Sequence, residues 1–115
     1  MKYNRYKVET KYALIIGLLS SLEEEVVSDD EYTATKDADI NKDDGFKLYF
    51  EVIIKPWFLL YNKNKREKII ILIEEILNED NTVLDYIFKN TFFVCYIKNH
   101  NNFLIKLKKL LEPIS

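Results

Sequence analysis

Cysteine occurs once, at Cys95, and histidine once, at His100, in a chain of 115 residues. A single thiol excludes an intramolecular disulfide and any zinc site built on cysteines. A Cys95/His100 catalytic pair is allowed by number alone. Cys95 lies, however, in the apolar run Thr91–Ile97, the kind of setting in which thiols bury as inert small hydrophobes. Glycine and proline occur twice each, too rarely for a collagen-like repeat or a flexible linker. No run reaches the eighteen apolar residues of a membrane span; the candidates are Ala13–Leu19 and Ile69–Ile73, and charges flank both. Lys2, Arg5, Lys7 and Lys11 ahead of Ala13–Leu19 have the outline of a secretory leader. Glu9 interrupts that basic stretch and no small-x-small cleavage site follows, so the segment reads as a helix and the expected location is cytoplasmic. A glycine-rich phosphate loop and a supported Ser-His-Asp set are also missing. The sequence therefore carries no catalytic signature, and no enzyme activity, cofactor or metal is expected.

What is present is ordinary for a globular domain: 48% apolar and 31% charged residues, too apolar for disorder. The length fits a single domain, 1–115, able to bury a core without staples. Aromatic residues reach 14%, with eight Tyr and seven Phe.

From Glu9 to Val27 the residues Tyr12, Ile15, Ile16, Leu19, Leu22 and Val26 recur at three- and four-residue intervals, which predicts a helix ending near Ser28. Glu31–Lys36 alternates and favours a strand, and Asp37–Gly45 reads as a polar loop. Phe46–Ile54 alternates strictly, although Phe46, Tyr49, Phe50, Ile53, Ile54 and Trp57 also fit a helix. The β-branched and aromatic content, with Pro56 close behind, favours a strand. The two strands would pair as a hairpin, and Trp57–Tyr61 would extend the sheet. Lys65–Leu77 predicts a helix with Asn64 as N-cap and Glu67 in the capping-box position. Thr82–Lys89 follows as a short helix capped by Asn81 or Thr82. Thr91–Ile97 reads as a buried strand, and Asn102–Leu111 as a last helix ended by Pro113. The expected fold is α+β: helices around a small antiparallel sheet. An all-α bundle is the alternative.

A formal net charge of −2 conceals a lopsided distribution. Between Glu23 and Glu51 eleven acids face only Lys36, Lys42 and Lys47, a local charge of −8. Both flanking segments are positive. Crowded carboxylates repel, and a surface tuned only for stability would intersperse its signs. A concentrated field serves association with a cationic partner instead; the plainer alternative is a solvated loop.

Sharper chemistry is not met. Asp39-x-Asn41-x-Asp43 starts like a calcium loop, but the required Gly and Glu fall one place late, at Gly45 and Glu51. Lys55–Lys68 carries Lys55, Lys63, Lys65, Arg66 and Lys68 with Trp57, Phe58 and Tyr61 interleaved, the pattern of a single-strand nucleic-acid path. The negative total charge opposes a grip on phosphates, so nucleic acid stays the rival reading.

A small acidic, aromatic-rich domain without an active site resembles the immunity proteins of bacterial toxin systems, including antidotes to contact-dependent growth-inhibition toxins and nuclease colicins. The acidic inhibitors encoded by phages or plasmids against host defence share the profile. The resemblance implies a non-enzymatic inhibitor of a cognate basic toxin, a nuclease in the first instance. Its expected partner-binding residues are Glu24, Glu25, Asp29, Asp30, Glu31, Tyr32, Asp37, Asp39, Asp43 and Asp44. No membrane partner is expected. A homo-oligomer, its basic helices meeting the acidic loop of a neighbouring copy, is a further possibility.

Overall fold

In the computed structural model, residues 10–115 are described, and among them every regular element is helical. The elements are α1 (Ala13–Leu19), α2 (Asp29–Thr35), α3 (Asp43–Tyr49), α4 (Lys55–Phe58), α5 (Lys63–Asn78), α6 (Asn81–Lys89) and α7 (His100–Leu111). Short 3-10 turns follow α1 at Ser20–Leu22 and α7 at Glu112–Ile114. The expected α+β fold and its sheet are therefore corrected to the all-helical alternative. The leader-like stretch and the predicted helix start at Glu9 reach into residues 1–9, outside the described residues.

The predicted strands between residues 31 and 61 fail for identifiable reasons. Ser28 caps α2 with a complete capping box: its hydroxyl accepts from the Glu31 N–H at 3.2 Å, and Glu31 Oε1 accepts from the Ser28 N–H at 2.9 Å. That local signal, with three acids at the positive end of the helix, outweighs the alternation of Glu31–Lys36. In Phe46–Ile54 the helical period wins. Phe46, Tyr49, Phe50, Ile53, Ile54 and Phe58 are all buried, whereas Lys47, Leu48 and Glu51 face solvent. Pro56 does not end this rod. Residues Phe50–Ile54 form a wider π-turn, and the Lys55 N–H donates to Phe50 O five residues back. A widened turn gives the proline ring room against the preceding carbonyls. Trp57–Tyr61 accordingly closes a helix and extends no sheet.

Residues 91–97 are irregular. Their one sheet-like feature among the described residues is an isolated antiparallel bridge between Glu23 and Phe93. The N-terminal helix also stops earlier than its apolar stripe suggests. The Ser20 and Ser21 hydroxyls donate back to Ile16 O at 2.9 Å and Leu18 O at 2.7 Å, which favours a tightened end. The chain turns extended at Glu23 and leaves Val26 exposed. The two predicted caps shift by one or two residues, to Asn62 for α5 and Asp80 for α6, and Asn99 caps α7.

The core runs through the centre of the bundle. Helix α5 lies between α1 and α7, burying Ile69, Leu72, Ile73 and Ile76 against residues such as Ile15, Leu18, Leu107 and Leu111. Each such side chain contributes about 1.5–3 kcal/mol. Lys108 Nζ reaches Glu74 at 2.6 Å and ties α7 to α5 at the surface. Phe103 of α7 meets Phe46 of α3 edge-on at 5.3 Å and Phe88 of α6 at 5.6 Å. These ring contacts seat the start of α3, where the acidic loop arrives.

Gly45 allows that arrival. A Cβ there would stand 1.9 Å from the backbone oxygen of Asp39, so the loop packs directly on α3 only because residue 45 has no side chain. At Gly17 a Cβ would meet only the Tyr61 hydroxyl, at 3.1 Å. Gly45→Ala is expected to cost about 1–3 kcal/mol by overpacking, whereas Gly17→Ala, a helix-interior change, should be neutral or gain up to ~1 kcal/mol. Urea unfolding of the two variants checks this; equal effects would contradict the close approach.

Candidate functional site

The loop from α2 to α3 is held by a side-chain network centred on Asn41. Asp39 Oδ1 accepts from the Asn41 N–H at 2.9 Å and from Asn41 Nδ2 at 3.1 Å, a closed local turn. Asn41 then reaches across the molecule: Nδ2 donates to Tyr96 O at 2.8 Å, and Oδ1 accepts from the Lys98 N–H at 2.8 Å. One amide thus fixes the acidic loop to the irregular segment before α7.

Pinned in this way, Asp37, Asp39, Asp43 and Asp44 line one shallow, open concavity of about 650 Å³, together with Ala38, Lys42, Gly45 and Leu48. The neighbouring concavity, about 390 Å³, shares Asp39 and adds Tyr32, Lys36, Tyr49, Cys95, Tyr96 and Lys98. Of the expected binding residues, the structure brings these four aspartates together and sets Tyr32 beside them. Glu24, Glu25, Asp29, Asp30 and Glu31 line neither concavity. Glu24 and Glu25 are exposed on the turn after α1, and Asp29 and Asp30 on the first turn of α2. Glu31 is engaged in the cap of α2.

Only one of the four aspartates has an ion pair among the described residues: Asp43 Oδ1 lies 2.9 Å from Lys106 Nζ on α7. The hydrogen bond and charge of Lys106 hold the Asp43 carboxyl below its usual range. The Asp39 carboxyl is likewise lowered, first by the Asn41 backbone N–H and then by the Asn41 amide, with Lys42 and Lys98 adding. Both stay ionised well into mild acid.

The residues of the other readings are placed elsewhere. His100 stacks on Phe88 at 4.3 Å, and its Nδ1 lies 3.2 Å from Asp85 Oδ1. Burial pushes the Cys95 thiol up to about 12, far from the thiolate that nucleophilic chemistry needs. Along the basic path, Phe58 is fully buried, Trp57 is half-buried with its Nε1 donating to the half-buried Tyr61 hydroxyl at 3.4 Å, and Lys55 pairs with Glu51 at 3.3 Å. Of the three rings on this path only Phe58 is turned inward; Trp57 and Tyr61 keep part of their surface exposed. No helix among the described residues is long and apolar enough to cross a membrane.

Sequence reasoning missed Asn41 and Tyr96, which line the second concavity, and the exposed ring of Phe92 on the segment of Tyr96. Phe92 and Tyr96 are 78% and 75% exposed, although both belong to a run that reads as buried strand. Nothing in composition marks Asn41 as a bridge; its partners lie more than fifty residues away. Compared with protein-family models, curated proteins and solved structures, the chain matches none.

Replacing Asn41 by Ala removes the bonds to Tyr96 and Lys98 and is expected to cost about 1–2 kcal/mol, with faster hydrogen exchange at the Lys98 amide. Unchanged exchange would contradict the pin. The two lowered carboxyls give a second expectation. Their stabilisation is complete above the ordinary carboxylate range and is lost as pH falls through it toward their lower folded values. A D39N/D43N double variant should therefore lose less stability than the parent between pH 7 and pH 3, read from urea midpoints. An equal acid-side loss would contradict the assignment.

Proposed function

We propose that this chain is a non-enzymatic inhibitor that binds a cationic protein, most simply a toxin with a nuclease's basic, phosphate-binding cleft, as immunity proteins do. The observation that carries the reading is the gathering of Asp37, Asp39, Asp43 and Asp44 on one open concavity, with Lys42 as the only cationic lining residue among the described residues. A field of this kind steers a basic partner and raises the association rate, and carboxylates desolvated at its centre add affinity. Tyr32, half exposed next to Asp39, is the type of residue that anchors such contacts. On the Lys55–Lys68 path Phe58 is fully buried and Trp57 is half-buried against Tyr61, which reduces the ring surface for stacking on bases and supports a protein partner over a nucleic acid.

Antidotes are commonly encoded beside their toxins, so the protein to test is the product of the neighbouring gene. The purified chain should inhibit its nuclease activity stoichiometrically, with an affinity that falls as salt rises. The D37N/D39N/D43N/D44N variant should fold normally yet bind at least about tenfold more weakly, roughly 1.4 kcal/mol, with a flatter salt dependence. Unchanged affinity would remove the concavity as the docking surface, and no inhibition by the parent would remove the antidote role.

A further inference from the structure

Two large rings stand almost fully in solvent on a backbone that is firmly held. Phe92 and Tyr96 are 78% and 75% exposed, while Ile97 on the same segment is buried and Phe93 packs against the core. The segment is fixed at one end by the Glu24 N–H to Phe92 O at 3.0 Å and the Val94 N–H to Leu22 O at 2.8 Å. At the other end Asn41 holds Tyr96 O and the Lys98 N–H. Exposed rings lose stabilising burial. Here they sit on a preorganised strip, so covering them with a partner costs little ordering entropy.

The strip runs between two groups of carboxylates. The Phe92 backbone is bonded to that of Glu24, within the run Glu23–Glu25. Tyr96 lines a concavity with Asp39 and Tyr32. A side chain that satisfies a ring face and a carboxylate together is arginine: its flat, weakly hydrated guanidinium stacks on aromatic faces and pairs with carboxylates in a fork, whereas a lysine ammonium is a hydrated point charge. Resting on the proposed docking to a cationic protein, we infer that this strip is the specificity element of the interface, selecting a partner surface that presents arginine rather than lysine. Lys36 and Lys98 also line the concavity of Tyr96, so the stronger preference belongs to Phe92.

Two peptides of equal charge, (Gly-Arg)5 and (Gly-Lys)5, separate ring recognition from charge when titrated into the full chain at low ionic strength. The parent should bind the arginine peptide more tightly, by roughly two- to fivefold per ring engaged. Phe92→Ala should remove most of that ratio and Tyr96→Ala less, while Phe92→Tyr retains it. D37N/D39N/D43N/D44N should weaken both peptides and leave the ratio intact. Equal affinity of the parent for both peptides, or a ratio untouched by Phe92→Ala, overturns the arginine preference and leaves the acidic docking surface standing. Failure of both peptides to bind overturns the two together.

Discussion

The acidic face depends on one close backbone approach and one amide. The Asp39 carbonyl rests where a side chain on residue 45 would be, and Asn41 carries the same turn across to Tyr96 and Lys98. Without the first, the loop could not lie on α3; without the second, it would not meet the segment before α7. Lys106 adds a third tie by holding Asp43 from α7. Four like charges are thereby kept together against their mutual repulsion, an arrangement that a freely solvated loop would relax by spreading out.

Part of the acidity has a folding reason that the charge count alone hides. Asp29, Asp30 and Glu31 occupy the first turn of α2, and Asp43 and Asp44 the first turn of α3, where negative charge is favoured by the helix dipole. Glu31 closes a cap, and Asp39 closes a turn through Asn41. These roles leave fewer residues to a partner than the sequence offers, with Asp37 and Asp44 as the lining carboxylates that have no side-chain bond among the described residues. The exposed rings of Phe92 and Tyr96, which folding does not require, supply the complement.

The legible parts of the fold were those with one unopposed period. The stripes of α5 and α7, and the buried face Tyr12, Ile15, Leu19 and Leu22, could be read directly because apolar residues at three- and four-residue spacing had no competing pattern. Residues 46–54 satisfied both periods, and β-propensity pointed the wrong way; packing against Phe103 and the core decided it, as tertiary context routinely overrides propensity. At α2 the deciding signal was present in the sequence as Ser28-x-x-Glu31, but a six-residue alternation obscured it. The charge asymmetry pointed to Asp37, Asp39, Asp43 and Asp44, which line one concavity. It could not locate Asn41, Phe92 or Tyr96, because their role comes from contacts between segments distant in the chain.

Under the proposed function a cationic protein docks on this acidic face. Backbone chemical shifts of the isotopically labelled chain, followed while (Gly-Arg)5 is added, test it most directly. Changes are expected to concentrate at residues 24–25, 37–44 and 92–96. Changes centred instead on the acids of α5 and its exit, Glu74, Glu75 and Glu79, or spread evenly over the surface, would contradict it.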